Sequence, residues 1–306
     1  MEYNFGMKKI IVVTGASSGL GLSFARQLAE ESADFKRKGK TDFSSDEIWL
    51  IARRADRLNE SAALISEDAK AYQKKFSLEE NLYPMTRIFA KDISGQEGAE
   101  EMRKLFLNAH ERDQLGNDPY TSGLQIMVLV NNAGFGTYGE FADTLTKREM
   151  QMVDLNCTSL TGITGYALKY MKKNSRIINT ASLAAWAPLG NFAVYAASKA
   201  YVLNFSCALR AELKKYGINV TALCPGSVST EFANVASNGA RKEVKHGLDP
   251  DVTVKDCIKA SRKNKMISMH FFKWKFKAFV SGIFGRKAAA FFTYKFSKRP
   301  SKPFSE

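Results

Sequence analysis

The strongest constraint on the fold of this chain is an aliphatic run that leads directly into a glycine-rich segment. Residues 8–13 read Lys-Lys-Ile-Ile-Val-Val, and Thr14-Gly-Ala-Ser-Ser-Gly-Leu-Gly21 follows. The run does not alternate with polar residues, as expected of a parallel strand buried on both faces. Residues 22–30 then show the apolar spacing of a helix. Glycines in this context let backbone amides approach a pyrophosphate at the positive end of a helix, so the segment predicts a dinucleotide site.

Further apolar runs predict the other strands of an α/β fold. They are residues 48–51, 86–93, 124–130, 176–181 and 218–224, with 266–270 as a candidate seventh strand. Helices are predicted at 57–75, 98–110 and 144–171, from Tyr195 onward, and from Asp249 to about 263. Residues 31–45 are polar and charged, and they predict an enlarged loop. Strands that alternate with helices indicate a parallel sheet with helices on both faces.

The composition argues against disordered, disulfide-rich and membrane-spanning proteins. The 306 residues suffice for one large α/β domain, and 45% of them are hydrophobic and 25% charged. Cys157, Cys207, Cys224 and Cys257 lie far apart, so we expect reduced cysteines and no metal site. No apolar segment approaches the ~20 residues of a membrane span, and residues 10–13 are too short a run for a signal peptide. A cytoplasmic protein is expected.

A serine, a tyrosine and a lysine have the composition of acid–base machinery. Ser182 follows the predicted strand at 176–181, and Tyr195 and Lys199 lie four apart in an alanine-rich helical segment. This spacing places Tyr195 and Lys199 on one helix face. A phenol has an ordinary pKa near 10, and a neighbouring ammonium lowers it. With a hydroxyl to hold the substrate oxygen, the set suits proton exchange with a carbonyl or an alcohol. The Tyr-x-x-x-Lys pair alone is weak evidence, because it occurs on many solvated helices.

Five motifs in order resemble those of the short-chain dehydrogenase/reductase family. They are Thr14-Gly-x-x-x-Gly-x-Gly21, Asn131-Asn-Ala-Gly134, Ser182, Tyr195-x-x-x-Lys199 and Pro225-Gly-x-Val-x-Thr230. The resemblance spans about residues 8–230. It implies an α/β fold with a Rossmann-type, doubly wound parallel sheet of about seven strands and helices on both faces. It also implies that the sheet binds a nicotinamide dinucleotide.

The resemblance assigns roles to individual residues. The implied catalytic residues are Asn156, Ser182, Tyr195 and Lys199, with Asn156 anchoring a water of the proton relay. The implied cofactor-binding residues are Gly15, Ser17, Ser18, Gly19, Leu20, Gly21, Asp92, Ile93, Asn131, Ala133, Gly134, Tyr195, Lys199, Pro225, Gly226, Val228 and Thr230. In this scheme Asp92 and Ile93 contact the adenine, Asn131 is mainly structural, and the loop from Pro225 holds the nicotinamide end. By chemistry alone, Asp92 is also a turn former and Asn156 a locally bonded helical residue. No metal is needed, because the hydride chemistry belongs to the cofactor.

Two arginines after the second predicted strand bear on the choice of cofactor. The strand ends in Ala52-Arg53-Arg54, with no acid. An acid here commonly binds the ribose 2′-hydroxyl of NAD, whereas arginine suits the 2′-phosphate of NADP. We therefore assign Arg53 and Arg54 to the cofactor site and expect NADP(H) to be preferred over NAD(H). The alternative is that one or both arginines are only solvated.

Most of the positive charge belongs to the C-terminal tail. The formal net charge is +14, and from Arg262 onward twelve Lys or Arg accompany one acid, Glu306. Aromatic and aliphatic residues follow helical spacing there, namely Phe272, Phe276, Phe279, Val280, Ile283, Phe291, Phe292 and Phe296. Such a basic aromatic helical extension either docks on the body, where it can roof the substrate pocket, or lies on an anionic membrane. Single-stranded nucleic acid is a weaker third option.

The expected activity is NADP(H)-dependent hydride transfer between the nicotinamide and a carbonyl or secondary alcohol carbon. The tail favours a hydrophobic substrate, steroid-like or 3-oxoacyl-like. In the reductive direction Tyr195 would donate the proton, Ser182 would hold the substrate oxygen, and Lys199 would lower the tyrosine pKa and bind the nicotinamide ribose. Two alternatives stay open: a catalytically silent NADP-binding protein, and a peripheral membrane-binding protein that uses its tail.

The domain organisation and the partners complete the expectations. We expect one catalytic domain over residues 1–270, with a substrate lid at about 226–250, and a basic amphipathic extension over 271–306. The partners are a small-molecule carbonyl or alcohol substrate and further copies of the chain in a homodimer or homotetramer, with no nucleic acid. Peripheral contact of residues 271–306 with the inner membrane face is an option.

Overall fold

The computed structural model describes residues 6–114, 121–242, 244, 247–270, 276 and 285–304. The strands within these residues are β1 (Gly6–Thr14), β2 (Glu47–Ala52), β3 (Met85–Ala90), β4 (Thr121–Asn131), β5 (Arg176–Thr180), β6 (Asn219–Leu223) and β7 (Ile267–Ser268). They form one parallel sheet in the order β3-β2-β1-β4-β5-β6-β7. The predicted parallel sheet of about seven strands is confirmed.

Helices connect these strands and cover the sheet. They are α1 (Gly19–Arg37), α2 (Ala55–Lys75), α3 (Gly95–Gln114), α4 (Thr146–Val153), α5 (Leu160–Leu168), α6 (Ala193–Leu213), α7 (Phe232–Ala236), α8 (Pro250–Arg262) and α9 (Gly285–Phe296). The alternation of strands and helices makes this a Rossmann-type α/β fold, as predicted.

The strand order reverses between β1 and β4. β1 pairs with β2 on one side, where Thr14 lies opposite Ile51, and with β4 on the other, where Val13 lies opposite Val130. The chain therefore builds the sheet outward in two directions from its centre. In doubly wound folds such a reversal leaves a crevice at the carboxyl ends of the strands, and ligands bind there.

The side chains of β1 show how both faces of the sheet are buried. Ile11 and Val13 pack into an apolar core with α1, α2 and α8. Ile10 and Val12 pack into a second core with α3, α5 and α6. All four side chains are at most 2% exposed. Burial of one such aliphatic side chain stabilises the fold by about 1.5–3 kcal/mol, which explains a run without polar alternation.

The predicted loop over residues 31–45 is wrong in its first half, because α1 continues to Arg37. Glu31 is buried on this helix and forms an ion pair with Arg176 of β5. Arg262, at the end of α8, lies 3.1 Å from the same carboxylate. Because both partners of Glu31 are distant in sequence, the local pattern could not show that this polar residue is buried on the inner face of a helix.

The predicted helix over residues 144–171 is interrupted. A π-helical turn at Asp154–Ser159 separates α4 from α5. Asn156 lies in this turn and is 1% exposed. Its side chain accepts a hydrogen bond from the N–H of Phe135 and donates one to the carbonyl oxygen of the same residue. Asn156 is therefore a tertiary link to the loop after β4, not a solvated helical asparagine.

The cysteines are free, as predicted, with Cys157, Cys224 and Cys257 buried. Among the residues with assigned structure, no group of three or more His, Cys, Asp or Glu side chains is arranged to hold a metal ion. In the same part of the chain, no helix combines the length and the apolar character needed to cross a bilayer.

Candidate active site

A cavity of about 1140 Å³ opens at the carboxyl ends of the strands, where the strand order reverses. Most of the residues predicted for the site line it, namely Gly15, Ser17, Ser18, Gly19, Leu20, Arg53, Arg54, Asp92, Ile93, Ala133, Gly134, Ser182, Tyr195, Lys199, Pro225, Gly226, Val228 and Thr230. Gly21, Asn131 and Asn156 are not part of the wall. The fold thus gathers segments that follow six strands, β1 to β6, into one site.

Glycine is required at two positions of the loop between β1 and α1. Gly15 has a φ of +67°, and a Cβ there would lie 3.0 Å from the Cα of Ala133. Gly19 has a φ of +52°, and its Cβ would lie 2.9 Å from Thr230. The loop therefore passes close to the segments after β4 and β6. Gly19 and Leu20 begin α1 and line the cavity, so the free N–H groups of a helix start lie at its wall and suit a pyrophosphate.

Arg53 and Arg54 follow β2 and make different contacts. Arg54 Nη2 lies 3.2 Å from the hydroxyl of Ser18 and 2.9 Å from the carboxylate of Glu231. Arg53 lies 4.0 Å from the carboxylate of Asp92, and its side chain is 71% exposed. Arg54 is therefore tied to the glycine loop, whereas Arg53 borders the outer end of the cavity.

Asp92 belongs both to the cavity wall and to a turn. Its carboxylate accepts hydrogen bonds from the N–H and the hydroxyl of Ser94, at 2.9 and 2.6 Å. Burial raises the pKa of Asp92, but the two hydrogen bonds from Ser94 and the charge of Arg53 hold it below its usual value. An ionised acceptor at this place suits amino or hydroxyl donors of a ligand.

Ser182, Tyr195 and Lys199 meet in the wall of the cavity. Tyr195 and Lys199 both lie on α6, with the Lys199 Nζ 5.7 Å from the centroid of the Tyr195 ring. Lys199 Nζ donates a 2.7 Å hydrogen bond to the carbonyl oxygen of Thr180, at the end of β5. Ser182 accepts a 3.1 Å hydrogen bond from the N–H of Ala184 and lies close enough to Tyr195 to act on the pKa of its phenol. The end of β5 and the start of α6 thus assemble the predicted acid–base set.

Burial dominates the titration of these side chains. It raises the pKa of Tyr195 well above that of a free phenol, although the hydrogen bond with Ser182 opposes the shift. Burial also lowers the pKa of Lys199 to about 8, because a charged ammonium is disfavoured away from water. At neutral pH the phenol is therefore protonated, and most of the Lys199 side chains still carry their charge.

Asn156 lies behind the wall. Its side-chain amide donates a 3.1 Å hydrogen bond to the hydroxyl of Ser198 on α6. A Cβ on Gly134 would lie 2.7 Å from the Asn156 carbonyl oxygen and 3.5 Å from Lys199 Nζ. Gly134 thus leaves room for Asn156 and Lys199 to approach each other.

Asn131 is also behind the wall, and its contacts are structural. Its amide group donates 2.9 Å hydrogen bonds to Thr164 of α5 and Asn179 of β5. These bonds hold the end of β4 to its neighbours. Gly21 lies in the first turn of α1, where a Cβ would collide with the carbonyl group of Gly15. Both residues support the cavity without lining it.

The remaining wall of the cavity is aromatic. The ring of Phe192 stacks on Tyr195, with centroids 4.2 Å apart. The ring of Phe232, from α7, lies 5.2 Å from Tyr195, and Tyr138 packs edge-on against Phe192 at 4.8 Å. These rings surround Tyr195 with apolar surface, so this half of the cavity suits a hydrophobic substrate.

The helix α9 roofs the aromatic half of the cavity, and Phe292 and Thr293 line it. The hydroxyl of Thr293 accepts a 3.1 Å hydrogen bond from the N–H of Gly190. The side-chain amide of Asn191 donates a 3.1 Å hydrogen bond to the carbonyl oxygen of Tyr294. Of the two predicted placements, residues 285–304 thus adopt the docked one. Most of the predicted apolar spacing from Phe272 to Ile283 falls outside the described residues.

The segment after α9 continues across the residues that follow α7. The N–H of Lys302 donates a 3.1 Å hydrogen bond to the carbonyl oxygen of Ser237, and Asn238 donates a 2.6 Å hydrogen bond to that of Pro303. Arg299 lies at the cavity wall between these contacts and α9. The C-terminal residues therefore join the loop before α6 to the segment after α7.

Comparison with known proteins identifies the family. The model of the short chain dehydrogenase family matches residues 117–240. The very-long-chain 3-oxoacyl-CoA reductase of Rattus norvegicus is 30% identical over 254 residues, which cover 81% of this chain and 67% of that protein. The chain belongs to the short-chain dehydrogenase/reductase family. As a member of this family it is an oxidoreductase that acts on alcohol or carbonyl groups.

Solved structures of this family share the fold. The short-chain dehydrogenase of Sphingobium yanoikuyae in complex with NADPH superposes with a TM-score of 0.64 at 21% identity, covering 90% of this chain and 94% of that one. A short-chain dehydrogenase/reductase of Burkholderia phymatum in complex with NAD gives 0.66 at 18% identity, covering 99% and 100%. Both nicotinamide dinucleotides thus occur on this fold.

Sequence analysis missed the aromatic wall and the arginine beside it. Phe192 lies three residues before Tyr195, so helical spacing was a signal that could have placed it near the site. Tyr138 lies shortly after the Asn-Asn-Ala-Gly motif, and Phe232 shortly after the Pro-Gly motif. No local spacing predicts that these two rings lie on the same side of the cavity. Arg299 is one of many basic tail residues, and nothing in the sequence shows which of them turns inward.

Proposed function

We propose that this short-chain dehydrogenase/reductase is an NADP(H)-preferring enzyme that reduces a hydrophobic ketone or oxidises the matching secondary alcohol. The observation that supports this is one cavity that contains the glycine loop, the acid–base set of Ser182, Tyr195 and Lys199, and the aromatic wall. The first suits a dinucleotide, the second suits proton exchange, and the third suits an apolar substrate.

The side chains divide the work in the reductive direction. Tyr195 donates its proton to the substrate oxygen, and Ser182 holds that oxygen. Burial keeps the phenol protonated until then. The charge of Lys199, whose Nζ lies 5.7 Å from the centroid of the Tyr195 ring, would stabilise the phenolate that the transfer leaves. A bound nicotinamide dinucleotide supplies the hydride. Lys199 also binds the nicotinamide ribose, and Asn156 anchors the water through which the proton is replaced.

NADPH consumption with a panel of hydrophobic ketones tests this function. Tyr195→Phe should lose turnover by about a hundredfold or more and bind NADPH as tightly as the wild type, because only the proton donor is removed. Tyr201→Phe is the matched control, since this hydroxyl lies on the same helix and contacts Thr161 instead. Unchanged turnover in Tyr195→Phe would contradict the mechanism. Tight NADPH binding with no turnover of any ketone would favour the catalytically silent alternative.

The preference for NADP(H) is supported by Arg54, which lies beside the glycine loop with no acid at the end of β2. A guanidinium there suits a 2′-phosphate. We expect Arg54→Asp to weaken NADPH binding by about 10- to 100-fold and NADH binding far less. Arg57→Asp is the control, because Arg57 pairs with Glu60 on α2 and does not line the cavity. Fluorescence titration measures both constants, and an equal loss of the two cofactors would contradict the preference.

The substrate class rests on the aromatic wall. The name of the Rattus norvegicus relative, very-long-chain 3-oxoacyl-CoA reductase, refers to a long acyl substrate and supports the 3-oxoacyl option. A steroid-like ketone is the other candidate for such a wall. Residues 226–250 form the substrate lid in this proposal, within a catalytic domain over residues 1–270 and ahead of an extension over 271–306. Phe232 on α7 would then move with the lid.

Peripheral membrane contact is a second candidate role for the tail. Phe291, Phe292 and Phe296 on α9 are 68%, 61% and 64% exposed, and the same segment carries several lysines and arginines. Exposed rings beside basic residues suit an anionic lipid surface. The protein should then float with phosphatidylserine vesicles and not with phosphatidylcholine vesicles, and Phe291→Ser with Phe296→Ser should reduce this. If the double variant floats with phosphatidylserine vesicles as well as the wild type does, the membrane role of α9 is contradicted.

Self-association is proposed on the outer faces of α4 and α6. Met150 and Tyr201 lie there and are 63% and 43% exposed. Paired helices of two copies would cover both side chains in a homodimer or a homotetramer. Light scattering after size-exclusion chromatography measures the state, and a monomer at micromolar concentration would contradict it.

A further inference from the structure

Arg299 brings a cation into the aromatic half of the cavity. It follows α9, lines the cavity and is half-buried. Its guanidinium carbon lies 5.1 Å from the centroid of the Phe192 ring, which itself stacks on Tyr195. The cation is therefore separated from the reacting tyrosine by about one aromatic ring.

Only one nitrogen of the Arg299 guanidinium donates hydrogen bonds to the backbone. Its Nη1 donates hydrogen bonds to the carbonyl oxygens of Gly190 and Ser297, at 3.1 and 3.2 Å. Within the described ranges, its Nη2 and Nε have no hydrogen-bond partner and no carboxylate forms an ion pair with it. Burial lowers the pKa of Arg299, as expected for a charge without a counter-ion. A guanidinium nonetheless stays charged in proteins, so the site holds unbalanced positive charge.

A second arginine and a hydroxyl lie close to this charge. Arg241, in the segment after α7, is near enough for its charge to act on both Arg299 and Tyr138. Tyr138 lines the cavity, and its hydroxyl makes no hydrogen bond to another described residue. Burial raises the pKa of Tyr138, and the two arginines oppose this shift. Arg241 is not part of the cavity wall, so the wall itself presents Arg299 and the Tyr138 hydroxyl, and an anion bound at Arg299 would offset the repulsion between the two arginines.

We propose that Arg299, assisted by the hydroxyl of Tyr138, binds an anionic group of the substrate, a carboxylate or a phosphate. The aromatic wall then holds the hydrocarbon part, and the reacting carbonyl lies at Tyr195. This inference rests on the proposed function and narrows its substrate to an oxo or hydroxy compound with an acid group. A planar guanidinium with free N–H groups suits the paired oxygens of such a group. The C-terminal tail thus contributes to recognition as well as covering the cavity.

Binding of three matched probes tests the inference. Octanoate, octyl phosphate and octanamide share one chain and differ in the head group, and the full-length protein is saturated with NADP⁺ so that Arg53 and Arg54 are engaged. By calorimetry, octanoate or octyl phosphate should bind about 10- to 100-fold more tightly than octanamide. The tighter of the two anions identifies the head group. Arg299→Met should remove this advantage, and Arg299→Lys should keep most of it, because the charge remains.

Controls separate this inference from other effects. Lys298→Met removes the same charge from the adjacent, exposed position and should leave all three affinities unchanged. Equal binding of octanamide and both anions, or equal losses in Arg299→Met and Lys298→Met, would overturn the anion site. If the protein reduces neutral ketones but binds octanamide as tightly as the anions, the anion site at Arg299 is refuted and the proposed function is not. If the protein binds octanoate through Arg299 but reduces no ketone, the proposed function is refuted and the anion site is not.

Discussion

At the scale of the residue, burial sets the proton chemistry of the site. Lys199 is 5% exposed, and its pKa falls from 10.5 to about 8. The carbonyl oxygen of Thr180 satisfies one of its donors, yet in the described part of the chain no carboxylate pairs with it. The folded protein therefore holds this charge at a free-energy cost, as expected where function requires a cation that folding alone does not favour.

This cost predicts a pH dependence of stability for Lys199. The unfolded chain keeps the proton up to about pH 10.5 and the folded protein only up to about pH 8, so raising the pH across this window favours the folded state. The unfolding free energy of the wild type, relative to that of Lys199→Met, should rise by about 2 kcal/mol from about pH 7 to 9.5. Urea unfolding of both proteins measures it. A difference that does not vary with pH would show that the pKa is not lowered.

Glu231 predicts a second residue-scale effect, on the cofactor. Its carboxylate lies 2.9 Å from Arg54 and competes with any anion that Arg54 would bind. Glu231→Gln should tighten NADPH binding by about two- to fivefold, since an exposed ion pair contributes only about 0.2–1 kcal/mol. NADH binding serves as the internal control and should not change. Weaker NADPH binding would show that Glu231 helps to hold the cofactor instead.

At the scale of the element, one buried ion pair fixes the position of α1. Glu31 is 9% exposed and pairs with Arg176, at the start of β5, and with Arg262, at the end of α8. Arg176 also donates a 3.2 Å hydrogen bond to the hydroxyl of Ser261. A helix, a strand and a second helix therefore meet at one carboxylate. Removing one partner leaves buried charges without compensation.

Stability should accordingly depend on Glu31. We expect Glu31→Ala to lower the free energy of unfolding by about 3 kcal/mol, because Arg176 stays buried without its partner. Glu30→Ala is the matched control, since this neighbouring acid is exposed and should change the value by less than about 0.5 kcal/mol. Urea denaturation of the two variants measures the difference. Equal values for both would show that the pair does not hold α1.

At the scale of the whole molecule, the C-terminal residues complete the site that the sheet begins. The segments at the strand ends provide the glycine loop and the set of Ser182, Tyr195 and Lys199, whereas α9 covers the aromatic half. The helix comes close to the body of the protein at Gly190, where a Cβ would lie 2.6 Å from the Cα of Tyr294. Glycine at this position therefore lets α9 pack directly on the loop before α6.

Gly190→Ala should displace α9 without disturbing the cofactor half. We expect the KM for a hydrophobic ketone to rise by about tenfold, as roughly 1.4 kcal/mol of contact is lost, with the NADPH dissociation constant unchanged. Gly165→Ala is the control, because a Cβ on this glycine of α5 meets nothing within 4 Å. Steady-state kinetics and a cofactor titration separate the two halves. An unchanged KM would show that α9 does not form part of the substrate site.

Local signals account for what could be predicted from the sequence. The aliphatic run before Gly15 and the alternation of strands with helices are properties of neighbouring residues, and they predicted the fold. The spacing of Tyr195 and Lys199 predicted that they share a helix face, and the structure brings Ser182 to them. Most of the other residues that the motif resemblance named do line the cavity.

Long-range contacts decided the rest. The extension of α1 depends on Arg176, a residue about 145 positions away from its partner. The π-helical turn that buries Asn156 depends on the backbone of Phe135. The position of Arg299 depends on α9, which is docked through Gly190.

The sequence by itself thus determined the family, the sheet and the acid–base set, because each is encoded in short stretches with their own periodicity or spacing. Only the tertiary structure decided which side chains of a basic, aromatic tail face the cavity. In the sequence, Lys298 and Arg299 are two adjacent basic residues of the tail, and nothing there distinguishes their environments. Their environments differ because docking of the tail turns one toward the aromatic wall and leaves the other in water.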